Sequence, residues 1–464
     1  MPAFSSLLSI ALLSICFGDE QQVGLTTGDG LFEGRTAREW IARAKDKNGD
    51  IRADAASVLG RIPGEANLVV PVLTELLGDR DGQVRQCAVA ALGGLGPEAA
   101  SAVPALTARL KDTSFDVRLS AIYALGQVGP EAQPAVSALT VLLRDKNEWI
   151  RRGAGNTLGE IGPAAKSSVP ALIALLNDED EGTRECGAEA LGKIGPDAKA
   201  AIPNLAELLQ DDAHGVRLAA IESLGNIGRD AKATVPALTR LLRDDAHDVR
   251  LAAVEALGGI GPDAKTAIPA LIEVLKENHR WGRKLAGKAL VSIGPEAVPA
   301  LTVLVKHDDE AVRWAAAETL SGIGPNAKSA VPALTELLSS RSGVDRAAAA
   351  ATALAGIGPD AKIAVPSLIE LLKSDNEVAR WAAAKALGNI GSGAGAAVPV
   401  LAELLKHKDK PVRCWAVQAL GNIGPESQTA TPMIVELLKD DDESVRQAAA
   451  QTLEKIRAPT TDQR

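Results

Sequence analysis

The stretch DDAHDVRLAAVEALGGIGPDAKTAIPALIEVLK, residues 244–276, decides the fold. The 33 residues before it, 211–243, read DDAHGVRLAAIESLGNIGRDAKATVPALTRLLR, almost the same unit. Read outward in both directions, the unit recurs about thirteen times and fills residues 35–457. A repeat of this length holding two apolar periodic segments specifies a helix pair that cannot bury its apolar face alone. Stacking the copies buries it. The expected fold is all-α: an α-α superhelix of about thirteen helix-pair repeats. Such a fold is a scaffold whose activity must be argued from its surface.

Each copy opens on a segment like VPALTELL, with proline at positions such as 104, 236 and 269; only Ser137 breaks the series. Proline is tolerated in a first helical turn and kinks a helix deeper in. The first copy begins differently, with a capping box from Thr36 to Glu39. A polar turn follows each first segment, often with two aspartates, as in Asp79 and Asp81, the second placed to cap the next helix. That helix carries an arginine in every copy, from Arg52 to Arg446. Six residues before it, in most copies, stands Asp46, Asp79, Asp112, Asp145, Asp178, Asp211, Asp244 or Asp440. This register predicts a structural ladder in which arginine bonds carboxylates and turn carbonyls and so stitches neighbouring turns.

On a wheel of 100° per residue, the core stripe of the second helix holds the residue before the Arg and those three, six, seven and ten after it. In the opening stretch these are Val249, Ala253, Ala256, Leu257 and Ile260. Gly261-Pro262 ends the helix. The proline-bearing first helix, the Asp turn, the VR opening and the closing ALGxIGP resemble HEAT repeats, in particular the short HEAT-like kind named for phycobilisome lyases. The resemblance spans roughly residues 35–457 and speaks for the fold more than for a function. It implies that the second helices line a concave side.

The wheel leaves a face away from the core, at two residues before the Arg and one, five and nine after it. Trp149, Trp281, Trp314, Trp381 and Tyr123 fall there, and Trp415 borders it. Leu119, Leu218 and Leu251 occupy the position after the Arg. An apolar line with polar margins marks a partner-binding surface. Charge varies along it. Glu185, Glu189, Glu222 and Glu255 make an acidic stretch; Lys276, His279, Arg280, Arg283, Lys284 and Lys288 make a basic one. The pair would orient an extended or helical partner segment. The repeat also falters nearby: three residues are missing before Pro299 and one is added between Arg346 and Leu354. In consecutive copies Val291, Ser321 and Ala355 replace the glycine that follows the recurring leucine. A local bend over 281–355 is expected.

Composition narrows the function classes. The chain of 464 residues has a net charge of −9, which disfavours nucleic acid and anionic membrane as partners. With 2% aromatic residues it offers little from which to wall a ligand cavity. Its four cysteines match no metal or CxxC spacing, and Cys87 and Cys186, about 30 Å apart three layers along, read as small fillers. His214 and His247 sit in equivalent turns about 10 Å apart, too far to share a metal ion. Deoxyhypusine hydroxylases, which resemble this repeat family, build iron sites from His-Glu pairs; no His is followed by Glu here. Residues 1–18, MPAFSSLLSIALLSICFG, have signal-peptide length, with cleavage expected before Asp19. Residues 19–34 read as a linker and 458–464 as a tail. The expectation is an exported, non-enzymatic adaptor, monomeric and without cofactor or metal, that binds a protein partner. The alternative is an enzyme-associated subunit of the lyase or hydroxylase type.

Overall fold

The computed structural model describes residues 32–277, 279–339 and 343–457. The expected signal segment 1–18, nearly all of the linker and the tail 458–464 lie outside these residues. Among the described residues the regular elements are all α-helices and 3-10 segments, joined by turns, apart from a single antiparallel bridge between Phe32 and Arg35. The chain divides into two compact units, Met1–Ala237 and Leu238–Arg464.

Beyond the first copies, where Gly49–Leu59 leads to Ala66–Leu76 through a turn, the repeat is a fixed sequence of three elements. The opening stretch shows all three: second helix His247–Ile260, a 3-10 segment Gly261–Ala267, and the next first helix Ile268–Lys276. The joint between the first two needs Gly261, whose φ of 72° lies in the left-handed region that side chains resist. The recurring proline stands in the first turn of the first helix, where its missing N–H breaks no bond. Pro71, inside Ala66–Leu76, is the exception. The wheel reading of the core holds: Val249, Ala253, Ala256, Leu257 and Ile260 are all buried. So does the capping box at Thr36.

In the first unit the second helices are Gly49–Leu59, Gly82–Gly94, Phe115–Val128, Glu148–Ile161, Glu181–Ile194 and His214–Ile227. In the second they are His247–Ile260, Arg280–Ile293, Glu310–Ile323, Val344–Ile357, Glu377–Ile390, Lys410–Ile423 and Glu443–Arg457. Inside each unit every second helix packs directly on the next one, whereas the first helices meet their neighbours mainly through the 3-10 segments. The second helices are therefore the tighter layer, and each unit is a solenoid of paired helices.

Both irregularities have a local account. The three missing residues come out of the 3-10 segment, which shrinks to Pro295–Ala297. The added residue is absorbed at the other end of its repeat. Val344–Ile357 keeps the usual 14 residues, but its arginine is third in the helix, not fourth. Burial of Leu354 and Ile357 holds the helix in register, so the arginine slips instead. Arg346 bonds back to Asp308 at 2.9 Å.

Candidate partner-binding face

The arginine ladder fixes the second helices that carry the face. Arg52 Nη1 donates to the carbonyls of Asp46 and Lys47 in its own turn, while Nε and Nη2 donate to the Asp79 carboxylate of the next repeat at 2.7 and 2.8 Å. The same fork joins Arg85 to Asp112, Arg151 to Asp178, Arg184 to Asp211 and Arg413 to Asp440. Each aspartate also organises its turn: Asp79 accepts from the backbone N–H of Asp81 at 2.8 Å. The second aspartate caps as expected, Asp81 accepting from Gln83 N–H. In the opening stretch the cap position is Ala246 and carries no side-chain bond, so the expectation is not general. Hydrogen bonds from arginine hold the carboxyls of Asp79 and Asp211 below the ordinary range.

Other rungs depart from the pattern. Arg118 keeps its turn carbonyls, and its guanidinium lies 5.7 Å over the Phe115 ring. In the second unit His307 and His407 stand where an Asp would. Their Nδ1 atoms accept from Asp309 N–H and Asp409 N–H at 3.0 and 3.1 Å, which preserves the turn without supplying an anion. Arg380 still donates to Ser374 O, but its buried Nε has no partner.

The ladder leaves the predicted face outward. Trp281 is 52% exposed and Trp149 38%; Trp314, Trp381, Trp415, Leu218 and Leu251 are half-buried. Tyr123 is also half-buried, its hydroxyl pushed up to about 12 by burial. Leu119 is buried and does not belong to the exposed face. Glu189, Glu222, Glu255, Lys284 and Lys288 are exposed.

Electrostatics differ between the units. In the first, Arg152 lies 5.3 Å over the Trp149 ring and is bound to Asp180, whose carboxyl that contact lowers to about 2. Burial, reinforced by Glu181, pushes up the carboxyl of half-buried Glu185. Glu189 is exposed, yet the packed helices around it withdraw enough water to raise its carboxyl; Lys193 opposes, and Glu185, Glu222 and Glu160 add repulsion. Cys186 is half-buried rather than fully buried, and burial pushes its thiol up to about 12, so it is an unreactive filler. In the second unit Lys284 lies 5.4 Å over Trp281 and Lys385 4.9 Å over Trp381.

A depression of about 290 Å³ opens on this face between Glu377–Ile390 and Lys410–Ile423. Trp381, Lys385 and Asn389 line one side, Trp415, Gln418 and Asn422 the other. These are the outward wheel positions, with Trp415 at their border. The wheel missed the pairing of the two indoles, which depends on the offset between adjacent helices. The sixth tryptophan, Trp40, is core: its Nε1 donates to Phe32 O at 3.0 Å.

His247 and His279 are a pair that sequence spacing did not suggest, with ring centroids 4.4 Å apart. Among the described residues no group of three or more His, Cys, Asp or Glu side chains could hold a metal. None of the described helices is long and apolar enough to cross a membrane.

Comparison with known proteins places the architecture. The structure is similar to Kap95p in its RanGDP complex (14% identity, 97% of this chain and 70% of that chain, TM-score 0.50). It is also similar to importin beta (15% identity, 97% and 70%, TM-score 0.50). At these identities the likeness concerns fold alone. An engineered protein shares 24% identity over 84% of this chain and 99% of its own, at a TM-score of 0.37. No curated protein matches the sequence. HEAT repeats match in overlapping runs: residues 37–126, 103–167, 137–225, 214–291, 268–355, 344–411 and 398–463. With those runs covering nearly all of it, the chain belongs to the HEAT-repeat family.

Proposed function

We propose that the chain is a non-enzymatic scaffold that binds a protein partner on the outward face of its second helices. The array has thirteen copies of the short HEAT-like kind over residues 35–457, and the leader 1–18 directs export. The observation that carries the reading is the paired indoles of Trp381 and Trp415 around a depression on that face. Two aromatic rings left partly open to water are costly in a monomer and are what interfaces use as anchors. Trp281, Trp314 and Leu251 hold the same outward positions within the second unit, and Tyr123, Trp149 and Leu218 hold them within the first. Glu189, Glu222, Glu255, Lys284 and Lys288 select the partner by charge. Kap95p, similar in fold, binds RanGDP, which accords with a solenoid used as a protein-binding surface.

The test compares proteins captured by the wild type and by Trp314→Ala/Trp381→Ala, with folding checked by circular dichroism. Loss of an anchoring aromatic should weaken a genuine partner by about 30-fold or more and remove it from the captured set. An unchanged set from a folded variant would refute the site.

A further inference from the structure

Resting on the face proposed above, we infer that the Trp381–Trp415 depression takes an acidic partner segment, an apolar side chain seating between the indoles and a neighbouring carboxylate meeting Lys385. Size argues for a side chain: about 290 Å³ lies at the lower edge of the ~300–1,000 Å³ of small-molecule pockets. Charge then selects which segment. No carboxylate lines the depression among the described residues. Lys385 already covers Trp381 at 4.9 Å, so an incoming cation would meet an ammonium where it needed a bare π face. A second ammonium stands at the far rim, where Lys455 donates to Asn422 Oδ1 at 2.9 Å.

The contrast with the first unit sharpens the choice. There the cation over Trp149 is Arg152, already neutralised by Asp180, and the neighbouring positions are the acidic Glu185, Glu189 and Glu222. In the second unit no ion pair of the described residues involves Lys284, Lys288, Lys385 or Lys455. His407, in place of an Asp, also leaves Arg380 without a carboxylate one residue before Trp381. From Trp281 to Asn422 the outward positions hold Lys284, Lys288 and Lys385 against Glu318 and, in the helix whose arginine has slipped, Asp345. The net charge of −9 therefore resides elsewhere, and this stretch presents positive potential to an acidic chain.

The probe is a fluorescein-labelled ten-residue peptide alternating Asp or Glu with Phe and Leu, titrated with the full chain and followed by anisotropy. One control replaces its acids with Lys, another its Phe and Leu with Ser. The acidic apolar peptide should bind, and both controls should bind about tenfold more weakly or not at all. Lys385→Glu, an exposed change that leaves the core intact, should cost the acidic peptide about tenfold and improve the Lys peptide. The assignment falls if the Lys or Ser control binds as well, if Lys385→Glu changes nothing, or if the chain self-associates in a manner abolished by Trp381→Ala. If Trp314→Ala/Trp381→Ala strips captured partners while the acidic peptide fails to bind, the face stands and its acidic occupant does not. If that variant strips nothing, both fall.

Discussion

Asp112 shows what one side chain does in this array. Its carboxylate accepts from Arg85 Nε and Nη2 at 2.9 Å, from Arg109 Nη1 at 3.3 Å and from Ser114 N–H at 3.0 Å. The residue is 8% exposed, and the bonds to Arg85 and Ser114, with the Arg85 and Arg109 charges, overcome the cost of burial and hold the carboxyl below its ordinary range. Asp112→Ala would leave the Arg85 guanidinium short of its carboxylate and free a turn N–H together. Charge-assisted bonds of this kind are each worth about 1.5–3 kcal/mol, and the loss should total about 2–4 kcal/mol. Urea denaturation should show the first transition moving to lower denaturant; Asp112→Ala within about 0.5 kcal/mol of wild type would mean the ladder is ornamental. The ladder was legible because Arg and Asp recur at fixed spacing. Its wiring was not. The Asp six residues before an Arg gives that Arg only its backbone carbonyl, and its carboxylate serves the Arg of the preceding repeat, 27 residues upstream.

Between elements the deciding positions are glycines eight residues after the arginine, where one second helix lies against the next. A Cβ on Gly192 would come 2.5 Å from Ser223 Oγ and 2.9 Å from its Cα, the second of which cannot rotate away. Gly94, at the exposed end of Gly82–Gly94, would put a Cβ in open space. Two effects compete in a Gly→Ala change: a gain of about 0.5–1 kcal/mol in helix formation, and about 1–3 kcal/mol when a packed contact is overfilled. Gly94→Ala should therefore stabilise by somewhat less than 1 kcal/mol, and Gly192→Ala should destabilise by about 1–2 kcal/mol. Thermal melts of the two variants settle it, and a stabilised Gly192→Ala would show that the helices are not in contact there. The irregular copies obey the same rule. Val291 replaces such a glycine, and Gly322 on the neighbouring helix supplies the room, since a Cβ there would meet Val291 Cγ2 at 2.8 Å. Periodicity exposed the substitution at Val291 but not its compensation, because the partner glycine has moved one residue along its own helix. For the same reason the wheel could place Trp381 and Trp415 on or beside the face without revealing that they share a depression.

At the scale of the whole chain, the two units carry different amounts of ladder, and acid should separate them. The first has the forks Arg52–Asp79, Arg85–Asp112, Arg151–Asp178 and Arg184–Asp211; among the described residues, the second has Arg413–Asp440. A carboxyl held below its unfolded value of about 3.9 stabilises fully above that value, and the contribution disappears as pH falls through the folded one. Asp180 and Asp440 both lie at about 2, the former held by Arg152 and the latter by Arg413, and Asp79, Asp112 and Asp211 are lowered as well. Glu185 and Glu189 run the other way: burial raises their carboxyls, so protonation favours the folded state as pH drops toward their range. The first unit should therefore gain slightly in stability as pH falls from neutral toward the raised range of those glutamates, then lose it steeply from about 4 towards 2. The second unit should stay nearly level and decline less, because charge repulsion at low pH acts on both while fewer carboxylates are lost from its ladder. Hydrogen–deuterium exchange at a series of pH values, corrected for intrinsic exchange, reads the two units separately in one sample. Loss of protection in Phe115–Val128 and Glu181–Ile194 ahead of Glu310–Ile323 and Glu377–Ile390 is the expected order. Simultaneous loss would mean that the fork pairs do not set the acid limit, and that net charge does.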